Sequence, residues 1–91
     1  MLLSLLKVAG HSMEPTIQSG SFIIATSVPY LFLYPKVGDI VVVKKNTKNY
    51  IKRIQRLRHE SYYLEGDNKE DNLKIQWIDR KNIVGKVIYK I

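Results

Sequence analysis

A serine and a lysine are the residues of this sequence whose settings favour covalent chemistry. Ser12 stands between Gly10 and Pro15, a flexible and a rigid residue that together favour a turn exposing a small hydroxyl. Lys52 lies beside Ile51 in an apolar stretch. A serine hydroxyl is a weak nucleophile until a base takes its proton, and a lysine amine can be that base once burial disfavours its charge. Each residue alone is more often a turn serine or a surface lysine, so the two residue types by themselves do not establish an attack on a carbonyl carbon.

Short apolar runs separated by polar turns are expected to position these two residues. Residues 40–44 form the clearest strand because they are rich in valine, and residues 50–57, which carry Lys52, alternate apolar and polar side chains. Five polar residues, 45–49, are expected to join them as a hairpin. Further strands are predicted at residues 1–9, 22–25, 62–65, 77–78 and 83–89. The pattern predicts a mainly β fold, a small barrel or sandwich of short antiparallel strands, in one domain spanning residues 1–91.

The amino-acid composition excludes several kinds of functional site. The 91 residues contain no cysteine, which excludes a disulfide scaffold, a thiolate metal site and a cysteine nucleophile. His11 and His59 lack the spacing of a metal site, so we expect no metal and no cofactor. The formal net charge of +7 is compatible with nucleic acid, with an anionic membrane surface, or with solvated lysines alone.

Two apolar segments bear on membrane contact. Residues 1–9 are interrupted by Lys7 and fall far short of the roughly 20 residues that a spanning helix needs, so no transmembrane segment is expected there. The segment from Val28 to Pro35 brackets aliphatic residues with Tyr30 and Tyr34. It predicts either a loop folded onto the core or an exposed lip that touches lipid or substrate. We expect a protein that is soluble or peripherally associated with a membrane, on a side that the sequence does not specify.

Four motifs then follow one another along the chain: GHSMEPTI at residues 10–17, GDIVV at 38–42, YIKRI at 50–54 and GDN at 66–68. In this order they resemble the serine box, the following strand, the lysine box and the Gly-Asp-Asn box of type I signal peptidases, the S26 family of Ser-Lys serine proteases. The resemblance covers most of the chain without the second domain or spanning helices of the larger enzymes. It implies a minimal serine endopeptidase with a signal-peptidase or LexA-like β fold.

The resemblance also implies roles for individual residues. Ser12 would be the nucleophile and Lys52 the general base, while backbone N–H groups at Ser12 and Gly10 would bind the oxyanion. Substrate binding or support would fall to Met13, Pro15, Arg53, Gly66, Asp67 and Asn68. After Asn68 the family usually continues with an Asp-Ser-Arg triplet, whereas residues 69–77 here contain no serine. Support for Lys52 must therefore come from elsewhere.

The implied substrate is a signal peptide, leader or propeptide cleaved after a small residue. A relative devoted to one precursor, like the nickel superoxide dismutase maturation proteases, fits equally well. A self-cleaving LexA-like domain is a related option. The lack of DNA-binding helices before Ser12 argues against it.

A second class of function is a small basic β-barrel that binds nucleic acid without catalysis. Its stacking platforms would be Tyr30, Tyr34, Tyr50, Tyr62, Tyr63 and Trp77. Such a barrel has no need of the serine box. We therefore expect a peptide or precursor protein as the partner, and no nucleic acid.

Overall fold

The computed structural model describes residues 2–70 and 75–91 of the protein. Its strands are β1 (Ser4–Lys7), β2 (Phe22–Thr26), β3 (Ile40–Lys45), β4 (Lys48–Arg58), β5 (Ser61–Glu65), β6 (Ile75–Asp79) and β7 (Ile83–Lys90). Two short 3-10 helices, Val28–Leu31 and Arg80–Asn82, follow β2 and β6. The mainly β fold of short antiparallel strands expected from the sequence is confirmed. None of the helices in the described ranges has the length and apolar character needed to traverse a bilayer.

The seven strands form one antiparallel sheet in the order β1-β2-β7-β3-β4-β5-β6. The last strand of the chain therefore lies between β2 and β3, near the middle of the sheet. The register shifts in four of the six pairings. Such bulges bend a strand and increase its twist, which lets a single sheet curve around a core.

Hydrophobic clusters cover both faces of the sheet at β3. Val41, Val42 and Val43 are all completely buried, which requires packing on each side because successive strand residues point to opposite faces. Val41 and Val43 belong to one cluster, which also contains Ile54, Tyr62 and Leu64. The other cluster packs against Ile40 and Ile51 and contains Val8, Met13, Ile17 and Ile23. This second cluster attaches the segment carrying Ser12 to the sheet.

The hairpin that leads into the lysine strand is tighter than the sequence suggests. β3 ends at Lys45 and β4 begins at Lys48, so the turn has two residues rather than the predicted polar stretch 45–49. Asn46 adopts a φ of 58°, a left-handed conformation that asparagine tolerates in two-residue hairpin turns. Residues 45–49 are all exposed and polar, so the sequence pattern does not distinguish the strand ends from the turn.

Several strand edges lack a neighbouring strand in the described part of the chain, and two of them adjoin the serine and lysine segments. β1 is the first strand of the sheet and pairs with β2 alone. β4 pairs with β3 through residues 48–53, but its pairing with β5 begins only at Arg53, opposite Glu65. The edge of residues 48–52 that faces away from β3 is consequently open.

Candidate active site

Ser12 lies in a series of turns that follows β1. Gly10 has a φ of +81°, a left-handed conformation that glycine adopts without steric cost, and it reverses the chain before Ser12. Met13, only 2% exposed, packs in the core cluster with Val8 and Ile17. The Ile17 N–H donates to the Met13 carbonyl at 2.8 Å, which holds the residues after Ser12 in a turn. The serine is thus presented by a segment anchored on both sides.

The Gly-Asp-Asn segment packs directly against this turn. The backbone N–H of Asn68 donates to the Ser12 carbonyl at 2.8 Å, and its side-chain amide donates to the His11 carbonyl at 2.9 Å. A Cβ placed on Gly66 would lie 2.3 Å from the same Ser12 carbonyl oxygen. Glycine is required at this position by the close approach of the two backbones.

Asp67 connects the turn to β4. Both carboxylate oxygens accept hydrogen bonds from Arg53, from Nε and Nη2 at 2.8 Å each, and Oδ2 also accepts from the Thr16 hydroxyl at 2.7 Å. The Arg53 hydrogen bonds are the main reason why the pKa of Asp67 lies below its usual value, and the Thr16 bond adds to them against the opposing effect of burial. The remaining Arg53 nitrogen, Nη1, donates to the Gly38 carbonyl at 2.9 Å. Thr16 was not singled out by sequence reasoning, although it belongs to the same motif as Ser12.

Lys52 is almost completely buried, at 1% exposure, in the middle of β4. Ser12 and Lys52 line one cavity of about 360 Å³, whose apolar wall includes Val42 and Ile51. Burial of a lysine disfavours its charged form and favours the neutral amine that a general base requires. Four lysines in or beside polar turns are, by contrast, exposed: Lys44, Lys45, Lys48 and Lys69.

The cavity lies between the two open strand edges. One side is formed by residues 6–13, which run from β1 into the serine turn, and the other by residues 49–52 of β4. Each edge presents backbone groups that an extended peptide can pair with. Residues of both edges, together with Ser12 and Lys52, thus line the same cavity.

The comparison with known proteins agrees with this geometry. A model of the family described as Peptidase S24-like matches residues 3–88. The chain belongs to this family. The matched range includes the serine turn, both open edges and Lys52, and the family is grouped with LexA-like and signal peptidase I domains in one superfamily. No curated protein matches the chain. The S24-like assignment indicates a peptidase of the serine type, while the narrower S26 assignment rests on the motifs alone.

The predicted support residues of this S24-like domain occupy different places. Met13 lines the cavity, whereas Arg53, Asp67 and Asn68 bond to the turn or to one another outside its lining. Pro15 is exposed in the turn and is not among the residues that line the cavity. Among the predicted support residues, Gly66, Asp67 and Asn68 lie against or bond directly to the serine turn.

His11 is engaged elsewhere although it precedes the nucleophile. Its Nδ1 lies 3.0 Å from Glu14 Oε2. That hydrogen bond, together with one from the Ser19 backbone N–H, lowers the pKa of Glu14 below its usual value. His11 lies in a turn rather than in a strand, because residues 10–17 form turns. Its imidazole is paired with the Glu14 carboxylate.

The six aromatic residues considered as a stacking platform differ in burial and contacts in the S24-like domain. Tyr62 is buried, and the Tyr30 hydroxyl donates to Asp39 at 2.8 Å. Tyr63 and Trp77 form a pair, with ring centroids 5.5 Å apart. The Tyr62 ring is therefore not exposed for stacking on a base.

The segment that departs from the signal peptidase pattern begins after Asn68. The prediction that support for Lys52 must come from outside residues 69–77 depends on residues 71–74, which lie outside the described ranges.

Proposed function

We propose that this S24-like domain is a serine endopeptidase in which Ser12 is the nucleophile and Lys52 the general base. The observation that carries the proposal is the cavity that both residues line, in which Lys52 is 1% exposed. A lysine in bulk water is protonated at neutral pH and cannot accept a proton. Among the lysines in the described part of the chain, Lys52 alone is buried, which supports its role as the base.

The first half of the reaction forms an acyl-enzyme. Ser12 Oγ bonds to the scissile carbonyl carbon while its proton passes to the neutral Nζ of Lys52. The carbonyl oxygen becomes an oxyanion, which backbone N–H groups at Ser12 and Gly10 stabilise. Collapse of this intermediate breaks the C–N bond, and the protonated Lys52 returns its proton to the departing amine.

The second half releases the other product by hydrolysis. Lys52, again neutral, accepts a proton from a water molecule as the water oxygen attacks the ester carbon. The bond to Ser12 Oγ breaks, and the proton on Lys52 returns to the serine. Because both halves need the same unprotonated amine, a single buried lysine can serve the whole cycle.

The open strand edges support an extended peptide as the substrate. A peptide laid between residues 6–9 and residues 49–52 pairs its backbone with one or both edges and places alternate side chains in the cavity. The cavity of about 360 Å³ lies within the usual range for ligand pockets. The preference for small side chains next to the cut bond is what the resemblance to type I signal peptidases implies. The resemblance to type I signal peptidases extends this to a signal peptide, or to the leader or propeptide of one precursor.

A cleavage assay tests the mechanism. Extended peptides with Ala one and three residues before the intended bond are compared with matched peptides carrying Leu there. We expect cleavage of the Ala peptides only, with rates reduced at least 100-fold in Ser12→Ala and in Lys52→Met. Lys44→Met, at an exposed position of β3, is the matched control and should retain full activity.

Two outcomes would overturn the proposal. Near-normal cleavage by Lys52→Met excludes the lysine as base, since methionine fills a similar volume and cannot accept a proton. Absence of an acyl adduct on Ser12, when a slow ester substrate is followed by mass spectrometry, excludes the serine as nucleophile.

A further inference from the structure

Four consecutive large apolar residues project from the surface between β2 and β3. Leu31, Phe32, Leu33 and Tyr34 are 69%, 83%, 67% and 65% exposed. We call these four residues the apolar lip. Single exposed apolar side chains are ordinary, but an unbroken run of this size marks a contact surface. The alternative expectation from the sequence, a loop folded onto the core, is wrong for these four residues.

Part of the backbone of the lip is paired within the protein. The N–H groups of Phe32 and Leu33 donate to the Pro29 carbonyl at 3.2 and 2.9 Å, and just before the lip the Tyr30 N–H donates to the Ser27 carbonyl at 3.0 Å. Unpaired backbone groups are costly in an apolar medium. These hydrogen bonds lower that cost for the N–H groups of two of the four lip residues.

The amino-terminal leucines extend the same surface. The Thr26 hydroxyl donates to the Leu2 carbonyl and accepts from the Val28 N–H, so residues 2 and 28 lie side by side. Leu2 and Leu3 are more than half exposed, and Val28 begins the 3-10 helix that leads into the lip. The exposed apolar surface thus continues beyond one loop.

Cationic side chains border the lip. The Arg80 guanidinium lies 4.1 Å from the centre of the Tyr34 ring, and its Nη2 donates to the Tyr30 carbonyl at 3.1 Å. Two further lysines are exposed: Lys36 follows the lip in the sequence, and Lys81 lines the adjoining cavity. The lining of that cavity also includes the acidic residues Glu60 and Asp79. Lys81 lies 4.0 Å from Asp79. The net charge of the whole chain, +7, favours an anionic surface over a neutral one.

We propose that the apolar lip docks this domain on a bilayer that contains anionic phospholipid. Leucine and phenylalanine side chains enter the boundary between headgroups and acyl chains, tyrosine lies at the headgroup level, and the cations contact lipid phosphates. The inference rests on the lip and its charges and does not depend on the peptidase activity. Docking by the lip would hold the catalytic cavity close to membrane-attached precursors.

Sedimentation with vesicles tests the docking. Wild-type protein is mixed with phosphatidylcholine vesicles that contain or lack phosphatidylglycerol, and the pelleted fraction is measured. We expect binding to the anionic vesicles, at least a tenfold weaker affinity for Phe32→Ser/Leu33→Ser, and unchanged affinity for Tyr89→Ser/Ile91→Ser. The control pair is comparably exposed but lies at the other end of β2, where the Ile91 N–H donates to the Phe22 carbonyl.

A fluorescence measurement tests whether the lip itself enters the bilayer. Phe32→Trp is made in a Trp77→Phe background, so that the only indole reports on the lip. Its emission should shift to the blue with anionic vesicles, whereas Tyr89→Trp in the same background should not shift. Equal binding of the lip variant and the wild type would overturn the proposal in favour of adsorption by net charge. Absence of binding, with dimers that the lip variant abolishes, would instead make the lip an interface between copies.

Discussion

The carbonyl oxygen of Ser12 occupies the space that a side chain on Gly66 would need. The two residues are far apart in the sequence, yet a Cβ on Gly66 would be 2.3 Å from that oxygen and 3.0 Å from the Ser12 Cβ. The position of the nucleophile is therefore fixed by a backbone contact with a distant part of the chain.

Replacing Gly66 by alanine should move the serine turn. The added methyl group forces the two backbones apart and lengthens the hydrogen bond from the Asn68 N–H to the Ser12 carbonyl. We expect a loss of about 1–3 kcal/mol in unfolding free energy and a marked loss of cleavage, measured by denaturant titration and peptide assay. Gly20→Ala is the control: its positive φ also costs stability, but no atom lies within 4 Å of the added Cβ, so activity should survive. Full activity of Gly66→Ala would contradict this role.

The ion pair between Arg53 and Asp67 should make stability depend on acid pH. The pKa of Asp67 is lowered in the folded protein, chiefly by the Arg53 hydrogen bonds, so its contribution is present above the unfolded pKa and disappears as pH falls through the folded pKa. We expect Asp67→Asn to be less stable than wild type at pH 7 and to approach it below pH ~3.8, where the unfolded carboxyl is protonated. Melting curves across this range measure the difference. A constant gap between the two proteins would show that the charge of Asp67 is not involved.

Tyr30 should confer stability that is lost in alkali. Its burial and its hydrogen bond to Asp39 raise the pKa of the phenol well above the ordinary value, so the stabilisation is complete below the unfolded pKa near 10 and declines as pH rises above it. Tyr30→Phe removes a donor from a buried carboxylate and should cost about 1–3 kcal/mol at pH 7, with a smaller deficit above pH ~10. Tyr89→Phe, at an exposed ring, should change neither value. Chemical denaturation at pH 7 and above pH ~10 provides the comparison.

The cleavage rate should rise with pH because Lys52 must be neutral to act as the base. Only the neutral amine accepts the Ser12 proton, so kcat is expected to rise with pH until the amine is fully deprotonated. Lys52→Arg should be inactive at every pH because a guanidinium stays protonated. Lys52→Met should be inactive yet still folded, since methionine fills a similar volume in the core, and a melting curve checks the fold. A rate that peaks in acid would contradict the lysine as base.

Much of the fold follows from local sequence patterns. The valine-rich run of β3 and the alternation in β4 each predict a strand because side chains repeat with a period of two on a half-buried surface. The tight turn at Asn46 and Thr47 was harder to place, because exposed strand ends carry the same polar residues as loops. The contacts of Thr16 with Asp67 join residues far apart in the chain and leave no local periodicity.

The sequence by itself determined the strands, the mainly β class and the chemistry available to Ser12 and Lys52, because residue type and spacing are local properties. The tertiary structure alone decided that β7 enters the middle of the sheet, that Gly66 lies against Ser12, and that two open edges face one cavity. These features depend on pairing between distant segments, which a periodic pattern does not specify. Burial separates Lys52 from the exposed lysines for the same reason: its neighbours come from other strands.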